Sequence, residues 1–285
     1  MLEMLINPKK AERRPWELFF VGAVYAAVSF ALVNWVFAKD NVLSNYSGIL
    51  LVIFTVMFSM PFVYYTIKFE ESKITPHKGV LRLLKEHEKA ISAFMWLFLG
   101  IVFSFSIMYV LFSSANIFKP QIETYCMINR PTSFDSCLES YGIDNSSLIN
   151  GYATSKERFF LIFSNNIYVL IFTLVFSLVF GAGVIFILAW NASVIAAAIG
   201  IFSNSNISSL PMGFFRFMIH GIPEIASYFI VALAGGMVSV AVIKHEIGTE
   251  KFWEVLQDSL NLIILSVIVL FVAAIIEVYV TPIFF

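Results

Sequence analysis

The sequence predicts an all-α fold, a polytopic bundle of about seven transmembrane helices. Three observations carry that expectation. Hydrophobic residues make up 59% of the 285-residue chain and charged residues only 13%, about half the charged share of a soluble domain. Apolar runs of membrane-spanning length, about 20 residues each, recur from residue 17 onward. Polar and basic clusters separate these runs, so most of the charge sits between segments rather than along them. The formal net charge of −1 gives no electrostatic reason to expect a nucleic-acid partner.

The first 16 residues hold Lys9, Lys10, Arg13 and Arg14. The first span follows at about 17–37, with Trp16 and Trp35 as interfacial anchors. No small-residue cleavage motif lies behind it, so it reads as a retained span rather than a signal peptide. The second span covers about 47–67. In the charged stretch that follows, 68–89, Thr75-Pro76 resembles a helix cap and first helical position. Val80, Leu81 and Leu84 fit either an amphipathic segment lying at the interface or a solvated linker helix. His77 and His87 are expected to face solvent there. The third span is 90–112, and a polar loop occupies 113–157.

The apolar run 159–202 is too long for one crossing and right for two. Glycine permits a tight reversal, so the turn is placed at Gly181-Ala182-Gly183. A re-entrant helix there would give six spans instead. Spans at about 212–243 and 258–281 complete the chain, joined by a charged turn at 244–251. With seven spans, the amino terminus, the 68–89 stretch and the 244–251 turn share one side. Their basic residues make that side cytoplasmic. The 113–157 loop then lies outside. Cys126 and Cys137, both in that loop, form either a disulfide or two free thiols; an external loop favours the disulfide. Asn145-Ser146-Ser147 and Asn206-Ile207-Ser208 match the glycosylation acceptor pattern. The chain divides into a two-span extension with a charged cytoplasmic linker helix (1–89) and a core membrane domain (90–285).

Ionisable residues inside spans mark functional sites, because each costs a few kcal/mol at bilayer depth. His220, Gly221, Ile222, Pro223 and Glu224 interrupt one span and Glu277 interrupts the next. Glu224 lies 20 residues before Lys244, and Glu277 lies 20 residues after Gln257. At about 1.5 Å per residue, both carboxylates sit ~30 Å from the shared turn. His220 and Glu224 are spaced i, i+4 and face the same way. Pro223 removes a backbone hydrogen bond and favours a kink, and Gly221 lets another backbone approach. Asn165 and Asn166 open the fourth span at the same level, and Asn191 sits deeper on the fifth.

One imidazole and two carboxylates can bind a divalent metal ion or another cation. They can also relay protons, and two nearby carboxylates can share one. The bland alternative is a helix–helix hydrogen-bond network in which Glu224 bonds His220 or an asparagine. No catalytic motif is present: there is no HExxH, GxSxG, Walker loop or GxGxxG. An ion- or proton-handling membrane protein is the leading reading. A scaffold that assembles partner proteins through its loops comes second, and an intramembrane metal-dependent hydrolase third. The small-residue faces at Ala232, Gly235, Gly236 and 196–198 are compatible with a homodimer in the lipid bilayer.

Several of these pieces occur together and in order. They are Asn165-Asn166, Gly181-Ala182-Gly183 followed by Asn191, His220-Gly221-Ile222-Pro223-Glu224, and Glu277 with Thr281-Pro282. In this the chain resembles the stage II sporulation protein M family over about 90–285. Its start, 7–17, looks like the amino-terminal extension of archaeal members. The resemblance implies a multi-span membrane protein whose His-Gly-x-x-Glu pattern falls on His220, Gly221 and Glu224. In spore-forming bacteria it implies a scaffold for cell-wall hydrolases. The resemblance supplies no molecular activity for the family, and the first two spans look like an addition to it.

Overall fold

Lipid offers no hydrogen bonds to the backbone, so an apolar chain of this kind must satisfy its amides internally, as helices do. A computed structural model describes residues 8–37, 40, 42–71, 80–112, 116–129, 137–138, 155–180, 185–203, 206–244 and 247–284. Among these, seven helices are long and apolar enough to cross a membrane.

A short helix α1 (Pro8–Arg13) precedes α2 (Glu17–Leu32), which ends in a π-helical turn at Val33–Phe37. Then come α3 (Ser47–Glu71), α4 (Val80–Phe112), α5 (Lys119–Asn129), α6 (Ser155–Phe180) and α7 (Ile185–Phe202). The chain closes with α8 (Leu210–Ile243) and α9 (Glu250–Ile275), a second π-helical turn at Ile276–Val280, and α10 (Thr281–Phe284). The run 159–202 is two helices, which gives seven spans. The glycine turn between them lies outside the described residues, as do His77 and Asn145. Asn206 is exposed and its side chain accepts from the Ser208 amide at 3.0 Å, at the entry to α8.

The residues expected at the interface open α4 itself, which runs unbroken from Val80 to Phe112. A domain boundary at residue 89 would therefore fall inside one helix. The first two spans also share a single hydrophobic cluster with the rest, reaching from Leu18 through Phe105 and Ile199 to Leu270. His87 corrects its solvent-facing expectation. It is 1% exposed and hydrogen-bonds Glu70 at 2.6 Å, because the first turns of α4 pack on the end of α3.

Close approach of helices sets the core. A Cβ added at Gly22 would overlap the Leu97 carbonyl, and one at Gly100 would overlap the Phe19 carbonyl, so α2 and α4 touch backbone to backbone. The most enclosed span is α8. The Ser177 hydroxyl of α6 donates to the Ala232 carbonyl, and the Ser259 hydroxyl of α9 donates to the Ala234 carbonyl at 3.0 Å. A Cβ on Gly235 would lie 2.8 Å from that of Ser177. The faces at Ala232, Gly235, Gly236 and 196–198 are thus buried within one chain. Gly248, at φ 86°, makes the turn into α9, where Thr249 caps the Phe252 amide at 3.2 Å.

Within the polar loop, α5 is not a surface element. Phe118, Ile122 and Cys126 form an i, i+4, i+8 stripe and each is fully buried. The Phe118 ring sits 5.8 Å from Phe105, two turns before the end of α4, so the chain turns back alongside that helix. The Gln121 amide donates to the Gly48 carbonyl at 2.9 Å. Cys126 and Cys137 are joined by a disulfide, which ties α5 to Leu138, also buried.

Candidate functional site

Between α5, α6, α7 and α8 lies a cleft of about 550 Å³, counting its open mouth. Its polar lining is Asn165 and Asn166 from α6, Asn191 from α7, His220 and Glu224 from α8, and Glu277 from the π-helical turn after α9. All six polar residues named from the sequence therefore face one space. Tyr125 and Ile128 of α5 line it as well, with Ile162, Val194, Ile195, Ala198 and Phe217 as apolar wall.

Helix geometry accounts for the positions on α8. His220 and Glu224 stand one turn apart, and Tyr228 stands one turn further. The Tyr228 hydroxyl donates to Glu224 Oε1 at 3.1 Å, and Asn166 lines the cleft with that carboxyl. Asn165 in turn donates to Asn166 Oδ1 at 3.3 Å. Glu277 stands close enough for its charge to act on the Glu224 carboxyl. The exposed Arg158 guanidinium, at the start of α6, acts electrostatically on Glu277 and His220. Asn191 instead donates to the Ile187 carbonyl of its own helix at 2.8 Å and lines the cleft.

The π-helical turn has a local consequence. It lets the Thr281 hydroxyl donate to the Ile276 carbonyl, five residues back, at 3.1 Å. The same oxygen lies 3.2 Å from His220 Nδ1. The imidazole is thus held by Thr281 and not by Glu224. Wide turns of this type recur at functional sites because they re-aim a side chain out of helical register.

One expectation needs correction. A Cβ on Gly221 would meet only Met218 Cε, at 3.6 Å. No second backbone approaches there, and the close approaches on α8 lie at Gly235 and Gly236 instead. Helix α8 also continues through Pro223 as one helix from Leu210 to Ile243. Among the described residues, there is no group of three or more His, Cys, Asp or Glu side chains that could hold a metal ion.

Tyr228, Tyr125 and Arg158 are site residues not singled out from sequence, and Thr281 is named there only with Pro282, as part of the family pattern. Tyr228 and Thr281 carried a usable signal: the first continues the His220–Glu224 stripe, and the second is a lone hydroxyl before Pro282 in an apolar segment.

The sequence pattern of the family described as Stage II sporulation protein M matches residues 18–282. The match begins in α2, so it takes in the first two spans as well as the stretch from residue 90. An uncharacterized protein of Methanocaldococcus jannaschii, MJ0793, is 30% identical over 143 residues, which is 49% of this chain and 80% of that protein. No solved structure matches the chain. With seven membrane-length helices and a match across nearly all of them, this integral membrane protein belongs to the stage II sporulation protein M family.

Proposed function

We propose that the cleft binds a proton or a monovalent cation at Glu224 and Glu277, and that the protein conducts that charge across the membrane. The observation that carries this reading is the convergence of two carboxylates from different helices on one cleft, with three asparagines around them. Neither carboxylate forms an ion pair among the described residues. Carboxylates at this depth are costly, and helix packing does not require them, since Ser177, Ser259 and Gly235 already fasten α8. A few amide and carboxylate oxygens beside an apolar wall suit a proton or a monovalent cation better than a divalent ion, which needs more oxygen ligands.

In this reading the basic amino terminus is cytoplasmic. The disulfide-tied α5 then lies at the outer side, which accords with where disulfides persist.

A ligand that binds only the folded state raises its stability, by about 2.7 kcal/mol at a hundred times its Kd. Purified protein in nanodiscs should therefore melt higher as sodium, potassium or proton concentration rises. Glu224→Gln and Glu277→Gln should melt normally without the ion and lose that rise. An identical ion response in wild type and both variants would remove the site and leave a scaffold as the better reading.

A further inference from the structure

Opposite the cleft, at the other end of the bundle, lies a second buried polar pair that the cleft chemistry does not use. Glu70, in the last turn of α3, and His87, in the third turn of α4, are 0% and 1% exposed. Glu70 Oε2 and His87 Nδ1 are 2.6 Å apart. His87 Nε2 is fully buried and has no hydrogen-bond partner among the described residues. A buried polar atom of this kind is expensive and calls for a role or a water. With Glu70 as carboxylate, Nδ1 carries the hydrogen and donates. The orphan Nε2 is then a bare lone pair, the form of imidazole that takes up a proton.

The space between this pair and the cleft, along the helices that carry them, is apolar. A small void with room for about one water is lined by Val63, Ile67, Phe94, Leu188, Phe229 and Leu233, with Ala232. Phe94 and Phe229 stack across it at 5.3 Å, and Phe98 meets Phe229 edge-on at 6.3 Å. Each end of this plug connects to one polar site along a helix. Phe94 lies seven residues from His87 on α4, and Phe229 lies five from Glu224 on α8. At 1.5 Å per residue these are about 10 Å and about 7 Å. Leu188 is one turn from Asn191, and Ile67 is one turn from Glu70.

We propose that Glu70–His87 is a second proton-binding station, separated from the Glu224–Glu277 cleft by the Phe94–Phe229 plug, so that protons cross the bundle only when the plug wets. This rests on the cleft reading above. A proton released by a cleft carboxyl passes through water to His87 Nε2. The neutral imidazole becomes imidazolium, Nδ1–H still donates to Glu70, and the pair goes from −1 to zero. Loss of the same proton to water at the charged end resets it. Charged residues toward this end of the helices that pack on α3 and α4 are Lys10, Glu12 and Arg13 on α1, Glu17 on α2, Lys244 just after α8, and Glu250, Lys251, Glu254 and Asp258 on α9. Apolar constrictions that conduct only when hydrated are a known way to gate charge.

The test is proton flux into pyranine-loaded liposomes, driven by a potassium–valinomycin potential. Wild type should exceed empty liposomes. His87→Asn keeps a donor where Nδ1 stands and removes the base, and it should cut flux at least tenfold. Phe229→Ala, which widens the plug, should raise flux several-fold. If either variant folds poorly, Glu70→Gln and Phe94→Ala make the same two tests, with thermal melting to certify the fold. Wild-type flux in His87→Asn and Glu70→Gln alongside its loss in Glu224→Gln would overturn the second station and leave the cleft standing. Absence of wild-type flux, where the nanodisc melts still report ion binding at Glu224, would also overturn it.

Discussion

The contact between α2 and α4 and the contacts around α8 are both close, and they are built differently. At the first, Gly22 and Gly100 face opposite backbones, and the contact between the helices there is made by backbone proximity. At the second, serine hydroxyls reach across from α6 and α9 to α8 carbonyls, and one half of the same helix carries His220, Glu224 and Tyr228. In lipid, where apolar surface gains nothing by leaving water, backbone proximity and interhelical hydrogen bonds are the two means of fastening helices. The α2–α4 pair uses the first and reads as rigid frame. Helix α8 uses both and still keeps a buried carboxyl, Glu224, whose bond to Tyr228 lies within the helix itself. That surplus separates a structural contact from a candidate site.

The largest expected effect would break the frame. A leucine at Gly100 must displace the Phe19 carbonyl, and backbone cannot yield as a side chain can. Overpacking of this kind costs about 3 kcal/mol. Gly100→Leu should lower the melting temperature of the purified protein steeply, and Gly221→Leu much less, since only Met218 Cε lies near that position. Equal losses at the two glycines would erase the distinction between them.

A middle-sized effect concerns the fastening of α8. Interhelical hydrogen bonds in membranes are worth about 0.6 kcal/mol each, up to about 1.7. Ser177→Ala with Ser259→Ala should therefore cost about 1–3 kcal/mol in unfolding free energy and leave any ion-dependent melting shift in place. Loss of that shift in the double variant would show that packing and ion binding on α8 are one system, and the comparison above would fail.

Much of this was within reach of the sequence, and the exceptions have physical causes. Equal spacing of Glu224 and Glu277 from their shared turn places them at one depth without any structure, because helical rise is fixed. The i, i+4 rule puts His220 and Glu224 on one face. Insertion of α5 was hidden because its stripe of Phe118, Ile122 and Cys126 is interleaved with Lys119, Gln121 and Glu123, and the segment is too short to span. Burial of His87 was hidden because it depends on which turn of α4 meets the end of α3. Thr281 meets His220 only because a π-helical turn shifts the register, and no hydrophobic period signals such a turn.

The smallest effect sharpens the frame side of the comparison. Asp40, in the link from α2 to α3, accepts from the Val42 and Leu43 amides, each at 2.8 Å, ahead of the 3₁₀ turn at Leu43–Tyr46. Those two backbone donors hold its carboxyl below the usual carboxylate range. A group whose folded value is depressed adds stability above its unfolded value, near pH 4, and loses it as pH falls through the lower folded value. Wild type should therefore lose slightly more melting temperature than Asp40→Asn between about pH 5 and pH 2. The side chain is fully exposed, so solvent keeps the difference small. A large difference would mean that this link, rather than the glycine contact behind it, sets how firmly the first two spans are held.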